Sequence, residues 1–346
     1  MPVVDVHTHC APRPRNDPFG VAEALRGVPV GKNAVTNYRG LPAVAYHQMY
    51  DLDLQQQACA QAGITVRLIS NPFAAEVMTA VSDKPALDIV KYLNDGGDGL
   101  VAIGAFVAAS DDHVLLAGPS GSFTAHPFLY KNLPYKPADL VPLVRVSNTI
   151  VVLAVTASLD AKSLAELVAM ARAEPGKLNW AGTTSSNEFL FAAFLKNGGL
   201  VMSKVPYRNL IEAANDVATG RIQLNVTAFA IVRPQLQAGT TKLLAVTNTA
   251  RASVVPDVPT VAEAGYPELA LDGLVGFFGP PSMPAQIRES IAADVREAMD
   301  AMVEERLTQT GQIPNFGGPA DFAPDIERQR ARLAAAAKDL GMVPTE

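Results

Sequence analysis

The chain has 346 residues, enough for two domains and a generous core. With 49% hydrophobic and 18% charged residues it is ordinary globular material, and a formal charge of −6 with a pI near 5.5 leaves no basic face for nucleic acid. Cys10 and Cys59 are too few for a disulfide framework. No apolar run is long enough to cross a bilayer, and the opening MPVVDVHTHC lacks the basic-then-apolar order of a secretory leader.

Val3 to Val6 is a short apolar strand that runs into His7-Thr8-His9. Alternate residues of a strand share a side, so His7 and His9 can ligate one divalent metal such as zinc. This His-x-His, with MYDLDLQQQACAQAGITVRLISNPFAAEVM and ALDIVKYLND further on, resembles the metal-dependent decarboxylase branch of the amidohydrolases over residues 1–95. Asp51 to Ala62 is then the first long helix and Thr65 to Ser70 the next strand. The resemblance implies further metal ligands late in a barrel. His47, His113 and His126 stand in no such context, so two ligands are offered where a catalytic zinc site takes three. VRLISNPFAA also suits the opening strand and loop of a second family, taken up below.

A glycine turn at Gly96, Gly97 and Gly99 marks a seam. His113 to Ala117 reads as a strand, followed by a tight loop of small residues, Gly118-Pro119-Ser120-Gly121-Ser122. Asn148 to Val155 is a buried strand by its Val and Ile run, and Leu164 to Ala173 an amphipathic helix closed by Pro175-Gly176. Leu178 to Ala181 is a short strand. Thr183, Thr184, Ser185, Ser186 and Asn187 then crowd hydroxyl and amide groups ahead of a helix over Glu188 to Asn197. Such a loop gathers OH groups, free backbone N–H groups and the positive end of a helix dipole, which suits a small anion; it equally suits a plain N-cap. The loop at Ser120 to Ser122 has the same two readings, anion cradle or turn.

Tyr207 in VPYR fits a cleft wall or a core rim. Leu210 to Thr219 is a helix ended by Gly220, and Ile222 to Ala228 a strand that returns the chain to the first lobe, with Thr227 able to present a hydroxyl. Leu243 to Thr247 and Leu274 to Phe278 are strands. Ile287, Ile291, Val295, Met299, Met302 and Leu307 form the apolar stripe of one long helix that stops at Gly311. A short strand near Ile313 and a helix over Phe322 to Leu340 complete the chain.

GKLNWAG, the Thr and Ser run, VPYR, GRIQLNV, LLAVTNTAR and PDVPTVAEAG follow one another in an order that resembles the extracytoplasmic solute-binding proteins of tripartite tricarboxylate transporters, the Bug family, over about residues 100–346. The resemblance implies an α/β, two-lobed, periplasmic-binding-protein-like (Venus flytrap) fold with mostly parallel sheets and two hinge crossings. Its first lobe would be residues 96–123 and 229–346, its second 124–228, with the amidohydrolase-like fragment, 1–95, ahead of them. The first lobe looks incomplete, lacking most of its opening βαβ segment.

The implied function is binding of a small carboxylate between the lobes by Ser120, Gly121, Ser122, Thr183 to Asn187, Tyr207 and Thr227. The implied setting is the periplasm, with membrane transporter subunits as partners. Gln223 stands where the family commonly carries an Asp. No nucleophile lies beside a His at motif spacing, and no metal spacing or phosphate loop appears after residue 100, so no enzyme and no cofactor is expected there. The rival reading is a metal-dependent amidohydrolase through His7 and His9; a third is a hybrid frame without function.

Overall fold

The computed structural model describes residues 100–109 and 114–342, except 183–184 and 208–209, together with short strands at 9–10, 35–38, 41–44, 66–70 and 87–92. Those strands are β1 (His9–Cys10), β2 (Val35–Tyr38), β3 (Leu41–Val44), β4 (Val66–Ser70) and β5 (Leu87–Tyr92). Then come α1 (Leu100–Ala109), β6 (Val114–Pro119), α2 (Ser120–Leu129), β7 (Val141–Thr149), β8 (Val151–Thr156), α3 (Leu164–Ala173), β9 (Asn179–Gly182), α4 (Ser185–Asn197) and β10 (Ser203–Lys204). The rest is α5 (Leu210–Thr219), β11 (Leu224–Ala228), α6 (Phe229–Gln237), β12 (Thr241–Val246), β13 (Gly273–Gly279), α7 (Ala285–Ala298), α8 (Ala301–Gln309), β14 (Gln312–Gly317) and α9 (Pro319–Leu340). The expected strand at Val3 to Val6 and helix at Asp51 to Ala62 lie outside the described residues.

Two sheets organise these elements. The first has the order β1-β5-β4-β6-β13-β7-β14, the second β10-β9-β11-β8-β12. β1, β5, β4 and β6 run parallel, as do β10, β9 and β11, whereas β13, β7, β14, β8 and β12 join antiparallel. The expected parallel pairing thus holds on one side of each sheet only. The first sheet is also not short of strands ahead of β6: β4, the VRLIS segment, pairs with both β5 and β6.

Sheet membership departs from the expected lobe boundaries. β7, placed in the second lobe by the sequence, is hydrogen-bonded between β13 and β14 of the first sheet. β12, placed in the first, pairs with β8 of the second. The chain from Asn148 to Val155 is two strands, because the backbone at Ile150 leaves both ladders: its N–H donates to Gly311 O (3.0 Å) and its carbonyl accepts from Phe229 N (2.8 Å). The chain therefore crosses between sheets at Ile150 and again between β12 and β13.

Alternation along each strand divides the cores. Val151, Leu153 and Val155 of β8, with Leu224 and Val226 of β11, pack on Leu164 and Leu167 of α3 and on Phe191 and Leu195 of α4. Val152 and Ala154 face the other way, onto Ala214 of α5 and Phe229 and Val232 of α6. In the first sheet Leu115, Val144, Val275 and Phe277 pack on Val295, Val303 and Leu307, while Leu116, Leu274 and Phe278 meet Phe123, Phe322 and Ile326 on the opposite face. Each fully buried Leu or Phe contributes about 1.5–3 kcal/mol.

The long helix expected up to Gly311 is two helices. Asp300 accepts a hydrogen bond from Val303 N (2.9 Å) and caps α8, which stops α7 at Met299. The stripe is core only in part, since Ile287 and Met302 are exposed. Helix α9 ties the sheets together: Phe322 and Ile326 sit in the first-sheet core, and Leu333, Ala336 and Ala337 pack on Phe189, Leu190 and Ala193 of α4.

The two crossings are stitched to each other. Asn248, fully buried, accepts from Val151 N (3.1 Å) and donates to Thr149 O (2.9 Å) and Asp272 Oδ1 (3.3 Å). Thr247 N donates to Val151 O and Leu271 N to Thr247 O, both at 2.8 Å.

Candidate functional site

Two helices begin where the sheets approach each other. Buried β6 ends at Pro119, whose extended backbone (φ −75°, ψ 133°) opens α2 without a side-chain cap. Short β9 ends at Gly182 and feeds α4, which starts at Ser185, three residues earlier than its apolar pattern suggests. Ser185, Ser186 and Asn187 therefore lie in the first helical turn, where backbone N–H groups lack intrahelical acceptors. Thr183 and Thr184 lie outside the described residues.

The two turns touch. A Cβ built on Gly121 would stand 2.6 Å from Ser186 Oγ, a distance no real Cβ tolerates, so glycine is what permits the approach. A Cβ on Gly182 would likewise run into the Glu188 side chain. The structure thus places Gly121, in the first turn of α2, against Ser186, in the first turn of α4. Both helix dipoles point their positive ends at this contact. Glu188, the nearest acid in α4, is ion-paired with Lys204.

The polar groups differ in how they are used. Ser120 is fully buried and its hydroxyl donates to Gln329 Oε1 (2.6 Å). Thr124 Oγ1 stands 3.0 Å from the same oxygen and 2.9 Å from Ser120 O, so its one proton is shared between these two acceptors. Ser186 and Asn187 are buried too, but Asn187 Oδ1 has no hydrogen-bond partner among the described residues. Leaving a buried acceptor unsatisfied costs about 1–3 kcal/mol.

The remaining expected site residues have contacts of their own. Tyr207 is half-buried beside Val217 and Ile222, and its hydroxyl donates to Asp216 Oδ2 of α5 (2.7 Å). Burial first, then that bond, pushes its pKa up to about 12. Its polar tip is committed to α5. Thr227 is buried on β11 opposite Val152. Gln223 holds strand ends together, accepting from Asn179 N (2.8 Å) and donating to Gly220 O (2.9 Å). His7 lies outside the described residues, and His9 opens β1 at the edge of the first sheet, paired with Lys91.

Two residues were not singled out from the sequence. Asn225 sits fully buried in β11, opposite Ala181 one step before Gly182, with both amide atoms unpartnered among the described residues. An amide inside the apolar run LNVTA is the signal that marks it. Gln329, on α9, is the acceptor for both α2 hydroxyls. A cavity of about 430 Å³ lies away from this site, at the C-terminal end of α4, walled by Phe194, Tyr266, Arg332 and Asp339. Arg332 there donates to Glu268 O (2.9 Å), and burial lowers its pKa.

Two α/β sheets joined by two crossings, with paired helix N-termini meeting between them, define a two-lobed solute-binding receptor of the periplasmic type. The chain matches the tripartite tricarboxylate transporter family receptor over residues 62–342 and belongs to that family. It is 31% identical over 224 residues to a UPF0065 protein from the tcbD-tcbE intergenic region of Pseudomonas sp. (strain P51), covering 63% of this chain and 66% of that protein. It is 25% identical over 267 residues to the protein BugT of Bordetella pertussis, covering 75% of this chain and 82% of that one. Among solved structures, Rpa4515 of R. palustris with adipate superposes with a TM-score of 0.70 at 25% identity, covering 81% of this chain and 98% of that one.

The family match starts at residue 62, far ahead of the seam at Gly96 to Gly99. Together with the pairing of β4 to β5 on one side and to β6 on the other, this takes residues from 62 onward out of the amidohydrolase-like fragment.

Proposed function

We propose that the chain is the extracytoplasmic receptor of a tripartite tricarboxylate-type transporter and binds a small carboxylate between the N-terminal turns of α2 and α4. The observation that carries this reading is the contact of Gly121 with Ser186, which brings two helix N-termini together beside the Asn187 oxygen that has no partner among the described residues. An anion there exchanges water for charge-assisted bonds from several N–H and O–H groups. The adipate held by the R. palustris relative supports the ligand class.

The protein works without catalysis: it captures the carboxylate in the periplasm and hands it to the membrane subunits of the transporter. Three or four bonds of about 1.5–3 kcal/mol each, less the cost of immobilising the ligand, give affinity on the order of micromolar.

A melting screen across dicarboxylates, hydroxy acids and aromatic acids is the first test, since a ligand that binds only the folded state raises Tm. Calorimetry follows on the parent and on Ser185→Ala/Ser186→Ala. The double change is expected to weaken binding about tenfold or more. Affinity held within about twofold, in a protein with unchanged circular dichroism, makes these groups caps and sinks the site.

A further inference from the structure

Gln329 occupies an unusual junction. It is 3% exposed, on the α9 face that carries Ile326 and Leu333. Its Oε1 accepts from Ser120 Oγ (2.6 Å) and Thr124 Oγ1 (3.0 Å), both in the first turns of α2. Its Nε2 donates to Asp272 O (3.2 Å), in the second crossing. The amide cannot be reversed, because Oε1 would then face the Asp272 carbonyl, acceptor against acceptor.

The chain of bonds continues beyond Asp272. Its carboxylate accepts from Thr249 N (3.1 Å), Thr249 Oγ1 (2.7 Å) and Asn248 Nδ2 (3.3 Å). Asn248 Oδ1 in turn accepts from Val151 N (3.1 Å), beside the break at Ile150. A polar path, buried at Ser120 and Gln329 and part-buried beyond them, therefore runs from the turn of α2 that faces Ser186, through one side chain, to both passages of the chain between the sheets.

We propose that Gln329 is a positioning residue that couples the ligand-facing turn of α2 to both crossings, so that seating an anion on that turn biases closure of the two lobes. A glutamine that only fills a polar gap under α9 would hold α2 in place without making the crossings respond to Ser120. Coupling along a contiguous path of hydrogen bonds is demonstrated when a change at one end is felt at the other only while the middle link is intact. The ligand half of the proposal rests on the carboxylate reading of the site; the coupling itself does not.

The experiment is amide hydrogen exchange on the whole chain without ligand, comparing parent, Ser120→Ala, the volume-conserving Gln329→Met, and the double variant. Ser120→Ala is expected to speed exchange at the Val151 and Thr249 amides by about threefold or more, with α3 unchanged as the internal control. In the Gln329→Met background the same change should add nothing. Gln329→Glu keeps an acceptor for Ser120 but loses the donor to Asp272, and should uncouple equally should Gln329→Met fold poorly. Unchanged exchange at Val151 and Thr249 in Ser120→Ala, or an equal increment in both backgrounds, overturns the proposal. A second arm adds adipate, which should slow Val151 exchange in the parent and less so in Gln329→Met. Failure of adipate and the other screened acids to bind the parent counts against the carboxylate site, while the ligand-free arm still decides the coupling.

Discussion

The N-terminal turns of α2 and α4 look alike in sequence and are wired in opposite ways. At α2, Ser120 and Thr124 both end on Gln329, so their hydroxyls belong to the fold. At α4, Ser186 is pressed toward Gly121, and the Asn187 oxygen is buried without a partner among the described residues. One turn is braced from behind and the other is left to be completed. A binding site needs both, because a rigid wall lowers the ordering cost of binding and an unsatisfied group gives the ligand something to gain.

The largest change should come from removing what holds the two turns in register. Asn248→Ala leaves Val151 N, Thr149 O and Asp272 without their shared partner, and about 3 kcal/mol of stability should be lost. Urea unfolding measures this; a loss well under 1 kcal/mol would mean that the crossings are held by something else. Gly121→Val wedges the turns apart and should weaken carboxylate binding by about a hundredfold, roughly 2.7 kcal/mol, with little change in the unfolding midpoint. Retained affinity would show that the contact with Ser186 is incidental.

A pair of variants sharpens the contrast through opposite signs. Ser120→Ala should cost about 1 kcal/mol of ligand-free stability, because it leaves a buried acceptor with one donor fewer. Asn187→Leu should leave ligand-free stability equal or raised, since it removes an unpaired polar atom, yet should weaken binding. Equal losses of stability from both would erase the distinction between braced and open turns.

Tyr207→Phe, away from both turns, should have the smallest effect. The folded Tyr207 holds its proton up to about pH 12, above the ordinary tyrosine range near 10. Its stabilising contribution is therefore fully present below about pH 10 and lost as pH rises through about 12. The variant should flatten the fall of Tm across that alkaline window and leave carboxylate affinity unchanged.

Local signals were legible in the sequence wherever local chemistry decides. Helix α3 could be read to the residue because Ser163 caps it, accepting from Glu166 N (3.2 Å), and α5 because Gly220 (φ +79°) ends it. The hydroxyl-rich starts of α2 and α4 were visible for the same reason. The break at Ile150 was not, since NTIVVLAVT is β-prone throughout and only Gly311 and Phe229, distant in sequence, draw its backbone aside. The break between α7 and α8 was hidden because Asp300 interrupts an apolar repeat without disturbing its period. Gln329 could not be singled out at all: within ERQRARL it is one polar residue among several, and its role depends on Ser120 and Asp272 arriving from elsewhere.

The order of strands in the first sheet bears on how the chain is made. The second sheet closes from residues that follow one another, β8 to β12. In the first sheet, β7 pairs with β13 on one side and β14 on the other, and both are synthesised after the whole second sheet. As the chain emerges, β7 therefore waits with two bare edges and the apolar side chains of Leu143, Val144 and Val146 unpacked. A chain cut short before β13 should keep a protease-resistant second lobe and lose the first. During synthesis, β7 is the segment a chaperone has most reason to cover.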